Sequence, residues 1–214
     1  MQELQEMLVD QLRDAHSAER QAIQMMKKTL RKVSAQELRQ GLEAHIQQSE
    51  EQRERVEQAL EQMGAKAGRK VCEAMRGLAE EAQHEMDEHD KGPLLDLVIV
   101  ASQQRIEHYE IAAYGTMAEL ARAMGEEQVA DLMGQTLEEE KRQDELLTEL
   151  TRERLLPLVM ESMQDGDDEE DEDELEEDDE EEEAEEEDEA KAGAPARGSK
   201  TATKPAPSRS RKSA

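Results

Sequence analysis

Apolar residues recur at steps of three or four along four long stretches of the chain. The first stripe is Leu4, Leu8, Leu12, Ala15, Ala22, Met26, Leu30 and Val33. The second runs through Leu38, Leu42, His45, Val56, Ala59 and Met63, and the third through Leu95, Ile99, Ile106, Ala113, Met117 and Leu120. The fourth uses Val129, Leu132, Met133, Leu137, Leu147 and Leu150 and is expected to end by about Pro157. This period places the apolar residues on one face of an α-helix. The boundaries carry their own signals. Ser34-Ala-Gln-Glu37 reads as a capping box, Pro93 suits a first helical turn, and Gly64 and Gly125 read as stops.

Each predicted helix has about 30 residues, or about 45 Å at 1.5 Å per residue. The first–second and third–fourth connections are short, so each pair is expected to fold as an antiparallel hairpin. The connection over residues 64–92 is long and has a pattern of its own in Val71, Met75, Leu78 and Ala82. The prediction is an all-α chain: a ferritin-like four-helix bundle with one long crossover containing a short helix.

Composition narrows this further. Aromatics are 1% of the chain, with no Trp or Phe, and twelve Met are present. Packing must therefore come from Leu, Ile, Val, Ala and Met, and the scarcity of strand formers favours helices. The net charge of -29 is uneven. Residues 165–189 hold 22 acids and no base, whereas 190–214 hold seven bases and no acid. The expected division is a bundle over 1–160, a disordered acidic segment over 161–190 and a disordered basic Ala/Pro/Ser-rich tail over 191–214.

The single cysteine, Cys72, permits no intrachain disulfide and is expected to be structural. The first residues lack a basic and apolar leader pattern, and no apolar run approaches the ~20 residues of a membrane span. A cytoplasmic protein without membrane contact is expected. Nucleic acid is an unfavourable partner for the acidic bundle, and only the basic tail offers weak phosphate contacts.

Polar residues interrupt the stripes near mid-length of all four helices. Glu19 shares a face with Ala15, Ala22 and Met26. His45 and Ser49 lie between Leu42 and Val56, with Gln48 and Gln52 beside them. Glu107 and Glu110 fall between Ile106 and Ala113, and Met133 and Thr136 lead to Glu140 and Asp144. Antiparallel neighbours bring these positions to similar heights. Buried carboxylates are costly unless paired or bound to a cation. An oxygen-rich set with an imidazole suits iron, manganese or zinc.

The plainer reading stands beside it. Any one of these residues could form a salt bridge, with Arg105 and Arg142 near. Glu138, Glu139, Glu145 and Glu149 read as a solvated face. His84, His89 and His108 read as surface residues, and Tyr109 and Tyr114 as packing, with Tyr114 placed to hydrogen-bond a ligand.

Four segments carry a resemblance: Leu12-Arg-Asp-Ala-His-Ser-Ala-Glu-Arg-Gln21, Val71-Cys-Glu-Ala-Met-Arg-Gly-Leu78, Gln104-Arg-Ile-Glu-His-Tyr-Glu-Ile-Ala-Ala-Tyr-Gly115 and Thr136-Leu-Glu-Glu-Glu-Lys141. The chain over about residues 3–155 resembles the YciE/YciF family of stress-associated bacterial proteins with a ferritin-like domain. The resemblance implies a homodimer with a metal-capable interhelical site formed by Glu19, His45, Glu107, Glu110, Glu140 and Asp144. That family has acidic residues just after the histidine of the second helix, where Gln47 and Gln48 stand here, and commonly a tyrosine where His16 stands. Gln48 and His16 are thus weaker candidate ligands, and a mono- or dinuclear centre stays open.

Two functions compete. One is a redox or storage-type protein holding iron or manganese, in an oxidative or general stress response. The other is a stress-related scaffold that binds no metal and whose charged tail binds protein partners. No phosphate-cradling glycine loop, nucleophile elbow or protease-type histidine pair supports a hydrolase or transferase.

Overall fold

The computed structural model describes residues 1–164; the expected acidic segment, beyond its first residues, and the basic tail lie outside the described residues. Five α-helices follow one another: α1 (Gln2–Thr29), α2 (Gln36–Gln62), α3 (Glu73–Asp87), α4 (Pro93–Met124) and α5 (Glu127–Leu150). Helix α1 packs on α2 and α4, and α5 packs on α4 and α2, which closes a four-helix bundle. The short α3 is the expected crossover helix and lies against α4 and α1. None of the described helices is long and apolar enough to cross a membrane.

The glycine stops act as expected. Gly64 and Gly125 take φ values of 69° and 79°, the left-handed conformation that closes a helix. In each case the next amide reaches back across the last turn, Ala65 N–H to Leu60 O at 2.8 Å and Glu126 N–H to Ala121 O at 2.9 Å.

Two boundary expectations are corrected. Ser34 does not cap α2; Ala35 occupies the cap and contributes no side-chain bond. The carboxylate of Asp96, on the neighbouring α4, accepts the Ser34 and Ala35 amides at 2.9 and 2.7 Å and the Ser34 hydroxyl. The longer-range contact fixes the chain just before α2 in place of the local box. Nor does the last helix stop at Pro157. A wide π turn over Thr151–Leu155 precedes it, in which the Leu156 amide bonds Thr151 O. A proline ring collides with the carbonyl four residues earlier, and a widened turn relieves that clash. Residues 156–164 are again α-helical.

The apolar core is divided. One cluster includes Ala22, Met26, Leu38, Leu42, Met75, Ile99, Ile106 and Leu147. The other includes Leu8, Leu12, Val56, Ala59, Tyr114, Met117, Val129 and Met133. Between them, near mid-length of every long helix, lies a buried polar layer of Glu19, His45, Ser49, Gln52, Glu107, Glu110, Thr136 and Glu140.

Candidate metal centre

Each long helix of the bundle sends at least one charged or ionisable group into this layer. Glu19 of α1, His45 of α2, Glu107 and Glu110 of α4 and Glu140 of α5 are all at most 3% exposed. The stripes explain the direction: each residue replaces an apolar side chain on the inward face. One nitrogen of His45 and one oxygen each of Glu107 and Glu140 lie within 4.8 Å of one another. His45 Nε2 is 3.1 Å from Glu107 Oε1 and 4.0 Å from Glu140 Oε2.

One oxygen of three of the carboxylates is held from outside the cluster. Tyr114 donates its hydroxyl to Glu19 Oε1, Gln103 Nε2 donates to Glu107 Oε1 at 2.7 Å, and Gln52 Nε2 donates to Glu140 Oε1. The other atoms are left over. Glu19 Oε2, Glu107 Oε2, Glu110 Oε1, Glu140 Oε2, Gln52 Oε1 and His45 Nε2 find no hydrogen-bond partner among the described residues. His45 Nε2 is near Glu107 yet outside hydrogen-bond geometry. Orphaned buried polar atoms are rare and expensive, and here six fall in a single layer.

The charges conflict in the same place. Burial pushes the Glu19 carboxyl up to about 7, against the pull of the Tyr114 hydrogen bond and the His45 charge. Burial, reinforced by Glu19 and Glu107, raises Glu110 well above its usual range. Burial, then the contact with Glu107 and the Glu110 charge, does the same to Glu140. Burial also acts to raise Glu107, but the His45 charge and hydrogen bonds outweigh it and hold this carboxyl low. Burial acts to lower His45, and the charge and contact of Glu107 raise it instead. Without a cation, these surroundings favour the charged forms of Glu107 and His45 and the protonated forms of Glu19, Glu110 and Glu140. A divalent cation would replace such protons. One imidazole and four carboxylates fit iron or manganese.

The remaining expected residues stand elsewhere. Asp144 is on the α4–α5 surface, accepts from Gln104 Nε2 at 2.9 Å and lies 3.5 Å from His108. It is four residues past Glu140, about 6 Å further along the axis, and so misses the layer. His16 pairs with Glu57 at 2.8 Å, because a half-buried imidazole there finds a carboxylate across the α1–α2 hairpin. Gln48 Oε1 approaches His45 Nδ1 at 3.5 Å, on the ring edge away from the cluster.

Sequence reasoning missed several supporting residues. Gln103 is one helical turn before Glu107, a spacing that brings side chains together. Arg55, rather than Arg105 or Arg142, is the buried arginine; it donates to Thr136 Oγ1 at 2.7 Å and Glu139 Oε1 at 2.9 Å. Glu139 is therefore not simply solvated. Arg105 binds Glu85 of α3. Tyr109 donates to Asp14 at 2.8 Å and meets Cys72 Sγ at 3.0 Å, while Cys72 caps α3 by accepting the Met75 amide.

Comparison with known proteins agrees with this picture of the bundle. The model of the family described as "Domain of unknown function (DUF892)" matches residues 3–156. The Escherichia coli protein YciF is 38% identical over 151 residues, which cover 70% of this chain and 91% of YciF. The crystal structure of that E. coli stress protein superimposes with a TM-score of 0.67, covering 70% of this chain and 95% of the other. YcfI from Rhodopseudomonas palustris is 34% identical with a TM-score of 0.65, covering 68% and 92%.

Proposed function

The chain belongs to the DUF892 family, and on that premise we propose that it is a ferritin-like metal-binding protein acting in an oxidative or general stress response. The site would hold iron or manganese between the four long helices. The observation that carries this reading is the set of six unpartnered polar atoms in one buried layer. His45, Glu107 and Glu140 are the central ligands, with Glu19 and Glu110 beside them. One or two ions fit this donor set.

Iron or manganese, when bound, would supply one-electron redox chemistry or a store of the ion. The chain's own residues do the rest. Gln48 approaches Nδ1 of His45 and leaves Nε2 directed at the cluster. Tyr114, Gln103 and Gln52 hold one oxygen each of Glu19, Glu107 and Glu140, leaving the second oxygen for the ion. The apolar clusters on either side keep bulk water out, which strengthens charge interactions inside the layer. A cytoplasmic homodimer, with the acidic segment recognising protein partners through its charge, completes the proposal.

A second reading takes the layer as an internal polar network and the charged tail as the working part. The His45–Glu107 pair favours it. Metal content separates the two. Purified protein, analysed as isolated and after reloading with Fe(II) or Mn(II), is expected to hold at least one ion per chain. The Glu107→Gln/Glu140→Gln variant is expected to hold none while remaining helical. A folded wild type that takes up no metal favours the scaffold.

A further inference from the structure

A closed metal cluster needs a way in. Around most of the layer, the side chains backing the carboxylates are themselves shut off: Tyr114 behind Glu19 and Gln103 behind Glu107 are each 1% exposed. At the seam between α2 and α5 the backing amide, Gln52, is equally closed to solvent, but it touches a carboxylate that is not. There Gln52 Nε2 donates both to the inner Glu140 and, at 3.2 Å, to Oε2 of Glu139, whose side chain is 22% exposed. One amide thus joins a buried carboxylate to one that solvent reaches. The carbonyl oxygen of that same Gln52 is buried and finds no partner among the described residues. Gln48, a half-buried amide at the layer, approaches the His45 ring at 3.5 Å.

Arg55 sits on this path. Its guanidinium bridges Glu139 Oε1 at 2.9 Å and the Thr136 hydroxyl at 2.7 Å. With Arg55 in place the outer carboxylate is neutralised, and an approaching cation meets a like charge.

We propose that Glu139 and Gln52 form a loading site for a divalent cation on its way to Glu140, with Arg55 as the gate. This rests on the metal-binding reading above. Glu139 draws the cation from solvent and exchanges Arg55 for it. The Gln52 amide then turns about its terminal torsion, which is broad and roughly two-fold. That turn replaces an N–H with the unpartnered carbonyl oxygen, so the cation passes between three oxygen donors, from Glu139 through Gln52 to Glu140. Hard divalent cations prefer such oxygens. When the ion has moved inward, Arg55 closes on Glu139 again.

Loading of the metal-free full chain with Co(II), followed by stopped-flow absorption, tests this. Glu139→Gln is expected to slow loading by about tenfold or more, the scale on which a local charge alters cation capture, with unchanged Co(II) stoichiometry at equilibrium. Arg55→Gln is expected to speed it. Thr136→Val, which frees one anchor of the guanidinium, should act in the same direction and decides the matter if Arg55→Gln does not fold. A seam that is merely structural would respond with both kinds of variant changing the rate the same way, and that result overturns the proposal. Unchanged rates overturn it too, as does a lower stoichiometry in Glu139→Gln. If wild type takes up no Co(II), the metal-binding reading itself fails, and the loading site with it. Uptake by wild type with no rate effect removes the loading site alone.

Discussion

His45 Nε2 stands 3.1 Å from Glu107 Oε1, with both side chains closed to solvent, yet the pair is not aligned as a hydrogen bond. In the proposed metal site both groups would be ligands of one ion. His45→Ala is expected to do two things. It removes the one nitrogen ligand, lowering Mn(II) affinity by roughly 10-fold or more. It also strips the buried Glu107 of its counter-charge, destabilising the metal-free protein by about 3 kcal/mol. Titration calorimetry and urea unfolding read the two effects separately. Wild-type affinity in the variant would remove His45 from the site.

The metal-free protein should lose stability as pH rises. Glu19 is raised to about 7, and Glu110 and Glu140 are raised as well, all chiefly by burial. Between the ordinary carboxyl range and the raised values, the folded chain binds more protons than the unfolded one. The stabilisation is complete below that range and is lost as pH climbs through 7. Metal binding, as proposed, would displace the same protons, so affinity should increase over the same interval. Thermal unfolding from pH 5 to 8, with chelator and with Mn(II), checks both. A metal-free melting temperature that rises across this window would contradict the assignment.

Asp96, which anchors the two residues before α2 from a neighbouring helix, should matter more than the serine it holds. Asp96→Ala leaves the Ser34 and Ala35 amides and the Ser34 hydroxyl without their acceptor. A loss of about 2–4 kcal/mol is expected, against under about 1 kcal/mol for Ser34→Ala. Denaturant midpoints of the two variants decide the order, and the reverse order would restore the local capping box.

Asp144→Asn and His16→Ala should leave metal stoichiometry and affinity at the wild-type level. Both residues are engaged elsewhere, Asp144 with Gln104 and His16 with Glu57. Elemental analysis after reloading is sufficient, and a loss of bound metal in either variant would show that the site extends beyond the layer.

The local pattern was enough for the helices. A stripe of period 3.6 specifies an amphipathic helix whatever it packs on, and Gly64, Gly125 and Pro93 act through their own backbone chemistry, so these boundaries were legible. So was the presence of Glu19, His45, Glu107, Glu110 and Glu140 on inward faces, since each interrupts an apolar row. Tertiary structure decided the rest. An inward stripe is broad, and periodicity alone does not fix height along the bundle, so Glu140 and Asp144 looked alike until the facing helices set the level of the layer. Arg55, Gln52 and Glu139 acquire their roles from partners over 80 residues away in sequence. Asp96 holds the entry to α2 for the same reason. Long polar side chains choose partners through space, and only the packed bundle determines which carboxylates are left without one.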